Sequence, residues 1–160
     1  KMSVEVHIVY KGKHSLPSYQ TSGSAGMDIH ASLIEDIQLA PLERMLIPTG
    51  LYIALPLGYE AQIRPRSGLA YKQGITCLNA PGTIDSDYRG EIKILLINLS
   101  NEIQKIQDGD RIAQMIISKY ETIQWMQVHQ LEESNRGENG FGSTGLHTIK
   151  INKPNNSTTE

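Results

Sequence analysis

The chain has 160 residues, with 15 Lys and Arg against 17 Asp and Glu, a formal charge of −2 at pH 7, and 39% hydrophobic residues. That length suits one domain with a packed core, and the near-neutral balance excludes the clustered positive field on which non-specific binding to long nucleic acid depends. A single cysteine, Cys77, excludes an internal disulfide and reads as a small buried hydrophobe.

No apolar run reaches the ~18 residues a membrane span needs, and the opening K-M-S-V-E-V has no signal-peptide core, so a soluble, cytoplasmic protein is expected. From Val4 to Val9 apolar and polar residues alternate, the period of a half-buried strand, with His7 on the polar side. Leu16 to Gly26 reads as a loop, and Met27 to Ser32 as a short strand that carries a carboxylate, Asp28, inside it. Ile37 to Leu39, Glu43 to Pro48 and Gly50 to Leu55 are β-type runs divided by Pro and Gly turns, and Tyr59 to Pro65 alternates again. S-G-L-A-Y-K-Q-G then allows a helical turn or two stopped by Gly74, with a weaker helical candidate at Ile103 to Gln107.

Ile92 to Leu99 and Arg111 to Tyr120 are the most apolar runs and are expected as central strands, followed by one more strand at Ile123 to Leu131. Many short strands with almost no helix argue for an all-β sandwich, jelly roll or barrel. After Leu131 the composition turns Gly-rich, so the expected organisation is a β-rich core over 1–131, a Gly-rich arm over 132–145 that is mobile until something binds, and a disordered extension over 146–160. The five histidines show no ligand spacing for zinc.

The stretch N-A-P-G-T-I-D-S-D-Y-R-G-E-I, Asn79 to Ile92, is the most informative. Pro81 and Gly82 mark a turn, Pro by its fixed φ and Gly by allowing φ > 0. Backbone groups beside such a turn are not all used by a sheet ladder and can hydrogen-bond the edge of a flat ligand, with Asp85 and Tyr88 next to it. This stretch resembles the third of five motifs of the homotrimeric dUTPases (dUTP diphosphatases). S-A-G-M-D-I-H-A (Ser24 to Ala31) is similar to the first motif, R-P-R-S-G-L-A (Arg64 to Ala70) to the second, G-D-R-I-A-Q-M-I (Gly109 to Ile116) to the fourth and R-G-E-N-G-F-G-S-T-G (Arg136 to Gly145) to the fifth.

The resemblance implies a distorted jelly roll assembled as a homotrimer, with shared sites to which different subunits bring different motifs, and hydrolysis of dUTP to dUMP and diphosphate. It assigns Asp85 as the general base for a water attacking the α-phosphorus. Tyr88 would lie against the deoxyribose and refuse a 2′-hydroxyl, while Asn79 and the backbone of Gly82, Thr83 and Ile84 would read the uracil edge. Arg66, Ser67, the Gly68 amide and Gln114 would hold phosphates, and Lys93 would stand at the pocket rim. The resemblance makes 132–145 a lid arm, in which Phe141 would stack on the base with Gly142 beside it, while Arg136, Ser143 and Thr144 would hold the terminal phosphates. Mg²⁺ is expected on the triphosphate, mostly through water and substrate, and Asp28 either orients a metal-bound water or pairs with Arg111. Two rivals share the resemblance: a dCTP deaminase, for which the third motif offers no extra Glu beyond Glu91, and a non-catalytic nucleotide-binding regulatory trimer.

Overall fold

The computed structural model describes residues 3–138, and those residues form eleven strands and one helix. The strands are β1 (His7–Tyr10), β2 (Met27–His30), β3 (Ile37–Leu39), β4 (Arg44–Ile47), β5 (Leu51–Ala54), β6 (Tyr59–Arg64), β7 (Ile75–Cys77), β8 (Gly82–Ile84), β9 (Ile94–Asn98), β10 (Gln104–Ile106) and β11 (Arg111–Lys119). The helix, α1 (Ser67–Gln73), ends at Gly74, whose φ of 67° and amide bond to the Ala70 carbonyl give a left-handed cap, as the sequence suggests. Among the described residues no helix is long and apolar enough to cross a membrane.

All pairings are antiparallel, in four small sheets: β1-β5, β3-β10, β4-β9-β7 and β2-β11-β6-β8. As expected from their apolar runs, β9 and β11 are each flanked on both sides. The core is β-branched and leucine-rich, with Ile29, Leu39, Ile47, Leu51, Ile75, Ile94, Leu96 and Ile112 at 1% exposure or less. Cys77 is buried in it, and burial pushes its thiol pKa up to about 11.

Three expectations are corrected. Gln104–Ile106 is a strand rather than a helix, because it pairs residue by residue with β3 and buries Ile106. Five residues without a cap are too few to hold a helix against such pairing. The first strand starts at His7, later than the alternation suggests, and it is mostly exposed, since β1 lies on β5 alone. Ile123 to Leu131 carries no strand: a compact unit ends at Thr122, and Ile123, Trp125, Met126 and Leu131 are exposed. Strand propensity alone does not make a strand without an edge to pair with.

β11 carries an irregularity that matters for the site. Arg111 faces His30 and Ala113 faces Ile29, so Ile112 is an extra residue on β11, buried at 1%. Such a bulge re-aims the side chains beside it, here turning Arg111 outward towards Asp28.

Candidate active site

Two polar centres result. The first grows from β8, an edge strand whose ladder pairs Gly82, Thr83 and Ile84 with β6 on one side only. Its other edge is free of ladder bonds among the described strands and can face a ligand. Gly82 sits in ordinary strand conformation, not at the positive φ that a glycine in a turn suggests. Space is the reason for glycine there: an added Cβ would lie 3.1 Å from Asn79 Nδ2 and 3.4 Å from Ile63 Cβ. Asn79, in the turn before β8, is exposed and leans over that gap.

Directly after β8 the chain turns, with the Tyr88 amide donating to the Asp85 carbonyl at 3.2 Å. Arg89 staples the same turn by donating to the Ser86 carbonyl at 2.7 Å and the Tyr88 carbonyl at 2.8 Å. The Asp85 carboxylate is exposed and forms no hydrogen bond or ion pair with the described residues. Tyr88 donates its phenol to the Glu91 carbonyl at 3.1 Å, and its ring lies so close over Gly90 that a Cβ there would overlap it. Thr83, Ile84, Asp85, Tyr88 and Lys93 line one open cleft of about 560 Å³, together with Leu46, Tyr52, Glu91 and Ile92. That volume is in the range of a small-molecule site.

The second centre lies across the larger sheet. The register sets Asp28, Gln114 and Arg64 in one row, and Arg66 follows two residues after Arg64, just before α1. Asp28, 17% exposed at its side chain, accepts from Arg66 Nε at 3.0 Å and from Arg111 Nη1 at 3.3 Å. The pairing with Arg111 is the one the sequence suggests, and Arg66 joins it. Arg66 Nη1 also donates to the Arg111 carbonyl at 3.0 Å, so the guanidinium is held along one edge. Gln114 donates to the Pro65 carbonyl at 2.9 Å and packs over Gly26, where a Cβ would come within 2.8 Å of its Oε1. Ser67 and Gly68 are exposed at the start of α1.

His30 stands beside this cluster. Its pKa is lowered, first by burial and then by the charge of His14, whose ring centroid is 6.2 Å away, against an opposing pull from Asp28.

Within one protomer the cleft around Asp85 and Tyr88 contains neither Arg66 nor Gln114, so the two centres are not one pocket in a single chain. Arg136 occupies a turn over residues 135–138, in the unit that begins at Ile123. Phe141, Gly142, Ser143 and Thr144 lie outside the described residues. Among the described residues no group of three or more His, Cys, Asp or Glu side chains is placed to hold a metal ion.

Glu91 and Gly90 are the residues that sequence reasoning undervalues. Glu91 Oε1 accepts from the Thr49 amide at 3.2 Å and the Gly50 amide at 2.9 Å, and Oε2 lies 3.8 Å from Lys93 Nζ. The only signal in the sequence is the P-T-G turn at Pro48 to Gly50, whose amides need an acceptor.

The chain is similar to known proteins over most of its length. A family model described as dUTPase matches residues 13–145. A protein of Cytophaga hutchinsonii named deoxyuridine 5'-triphosphate nucleotidohydrolase is 59% identical over 144 residues, covering 90% of this chain and 94% of that one. One of the same name from Finegoldia magna is 58% identical over 142 residues, covering 89% and 99%. Among solved structures, a mutant dUTPase of Staphylococcus bacteriophage 80alpha with dUpNHpp superposes with a TM-score of 0.76 at 28% identity, covering 89% of this chain and 99% of that one. A mutant dUTPase from phage phi11 of S. aureus, described for its coordination of a structural Mg(II) ion, shares the fold with a TM-score of 0.69 at 24% identity, covering 81% and 99%. With its motifs carried on this β-rich scaffold, the chain belongs to the dUTPase family.

Proposed function

We propose that this protein hydrolyses dUTP to dUMP and diphosphate, which limits uracil entry into DNA and supplies dUMP for dTMP synthesis. The observation that carries the reading is the cleft that unites Asp85, a carboxylate unpaired among the described residues, with the edge strand β8 and the ring of Tyr88. A base that is not already paired can take a proton from water as that water attacks the α-phosphorus. The free edge of β8 offers backbone donors and acceptors to the uracil, with Asn79 alongside, and a wrong base would leave those groups unpaired. Tyr88, held by Glu91 and lying on Gly90, is the wall against which deoxyribose fits and ribose does not.

Arg66 is the principal phosphate ligand in this reading, with Ser67, the Gly68 amide and Gln114 beside it and Lys93 at the rim of the cleft. Arg66 lies outside the cleft of its own chain, and in this reading the cleft of one protomer is completed by the arginine cluster of another, in a homotrimer. The exposed apolar side chains of Ile123 to Leu131 fit a segment that is covered in such an assembly. The arm over 132–145 acts as a lid, with Arg136, Ser143 and Thr144 on the terminal phosphates and Phe141 and Gly142 over the base. The core over 1–131 carries the remaining groups, and we assign no role to 146–160.

Both oxygens of Asp28 are engaged by guanidinium groups, so we read it as the orienting partner of Arg66 rather than as the carrier of a metal-bound water. We therefore assign Mg²⁺ to the triphosphate oxygens and their waters, outside any protein cage.

The test compares dUTP, dTTP, dCTP and UTP as substrates. Diphosphate release is expected from dUTP in clear preference to the others, and Tyr88→Ala is expected to admit UTP. Release of ammonia from dCTP would instead identify the deaminase, and dUTP binding without diphosphate release by the unsubstituted protein would identify a regulatory trimer.

A further inference from the structure

Glu91 separates the Asp85 turn from the buried strand β9, and its side chain is only 19% exposed. Its Oε1 accepts from two consecutive amides, Thr49 and Gly50, both in buried residues. The Thr49 hydroxyl in turn donates to the Ile92 carbonyl at 2.5 Å, and the Ile92 amide donates to the Leu51 carbonyl at 2.8 Å. Residues 91 and 92 are thus tied to the turn at 49–51 by side chain and backbone together. That turn has little freedom of its own, since Gly50 has φ 69° and an added Cβ would lie 2.5 Å from the Gly12 amide nitrogen.

The anchored residue presents the one acceptor that Tyr88 uses. The phenol reaches the Glu91 carbonyl at 3.1 Å, and the missing side chain of Gly90 leaves the gap in which the ring lies. Tyr88 is otherwise 44% exposed, so packing alone does not hold its ring. We propose that the Glu91 carboxylate is the positioning residue for Tyr88, and that by fixing the ring it sets the discrimination between deoxyribose and ribose.

The physics is a transfer of order. A carboxylate accepting two backbone N–H groups makes charge-assisted bonds that an apolar side chain cannot replace, and its removal leaves two buried amides without an acceptor. The turn then relaxes, the Glu91 carbonyl moves with it, and the ring is free to yield. Exclusion of a single hydroxyl by shape depends on displacements of that size. Lys93 is a lesser partner at 3.8 Å, so the hydrogen-bond acceptor at position 91 matters more than the charge.

The inference rests on Tyr88 being the sugar wall, and its test separates the two ideas. The ratio of kcat/KM for UTP to that for dUTP is measured on single preparations, so any unfolded fraction cancels. Glu91→Ala is expected to raise the ratio about tenfold. Glu91→Asp, which keeps the charge but withdraws the oxygen by one methylene, is expected to raise it likewise and carries the test if the Ala variant does not fold. Glu91→Gln keeps the acceptor and is expected to stay within about twofold of the unsubstituted enzyme. Tyr88→Ala is the control arm: no rise there overturns the reading of Tyr88 itself. A rise in Tyr88→Ala without one in Glu91→Ala or Glu91→Asp overturns the positioning role, as does a Glu91→Gln variant that behaves like Glu91→Ala.

Discussion

The Asp85 cleft and the Arg66 cluster each contain an acidic side chain, and they treat it in opposite ways. Asp28 is largely hidden, engaged by two guanidinium groups and fixed in a sheet register, so it organises charge before any ligand arrives. Asp85 stands exposed in a stapled turn with no hydrogen bond or ion pair to the described residues, while the groups around it, Tyr88 and Glu91, are the ones tied down. A base must keep its lone pairs for the reaction, whereas a phosphate ligand gains from having its donors aimed in advance. Under the proposed function, the contrast fits a general base in the first centre and phosphate binding in the second.

The largest effect that would break this division is at Asp85. Asp85→Asn is expected to lower kcat by ~10²–10⁴-fold while leaving the affinity for a non-hydrolysable dUTP analogue nearly unchanged. A loss confined to affinity would move Asp85 into the binding centre. Next, Asp28→Ala leaves Arg66 and Arg111 without their shared acceptor. It is expected to cut kcat/KM by ~10- to 100-fold, chiefly through KM, because a guanidinium that must be reoriented binds phosphate less well. A selective fall in kcat would contradict the binding role.

A smaller effect concerns stability around the second centre. His30 is held below its ordinary pKa of 6.5 by burial, with His14 and the cations of Arg111 and Arg66 acting the same way and Asp28 opposing them. The folded state therefore binds fewer protons than the unfolded state as pH falls through that value, so stability is full above it and declines below it. His30→Gln is expected to flatten the fall in melting temperature on going from about pH 7 to about pH 5.5. An unchanged slope would remove His30 from the account. The smallest effect is at Cys77: its burial, with the pKa raised to about 11, should leave the native thiol unreactive towards an aromatic disulfide reagent until the protein unfolds.

Legibility in the sequence follows the same contrast. Elements whose own residues settle their form were readable, such as β9 and β11 from their apolar runs and α1 from its stop at Gly74. Asp85 and Tyr88 were readable as a pair because one short stretch brings both. Features set by distant partners were not. Gln104–Ile106 becomes a strand only because β3 lies beside it, and Ile123 to Leu131 has the composition of a strand without an edge to join. The pairing of Asp28 with Arg111 was readable, but its second partner, Arg66, comes from a different strand end and was not. Glu91 was weighed only as the third motif's Glu in the deaminase rival, since its partners lie more than forty residues earlier, at Thr49 and Gly50.

The most direct measurement is subunit complementation between Asp85→Ala and Arg66→Ala, each inactive alone. Unfolded together, mixed in equal amounts and refolded, random trimers should regain about a quarter of the unsubstituted activity, because that fraction of sites pairs an intact Asp85 from one chain with an intact Arg66 from another. If the mixture stays as inactive as its parents although mixed trimers have formed, the two residues do not meet across a subunit boundary, and the composite site is wrong.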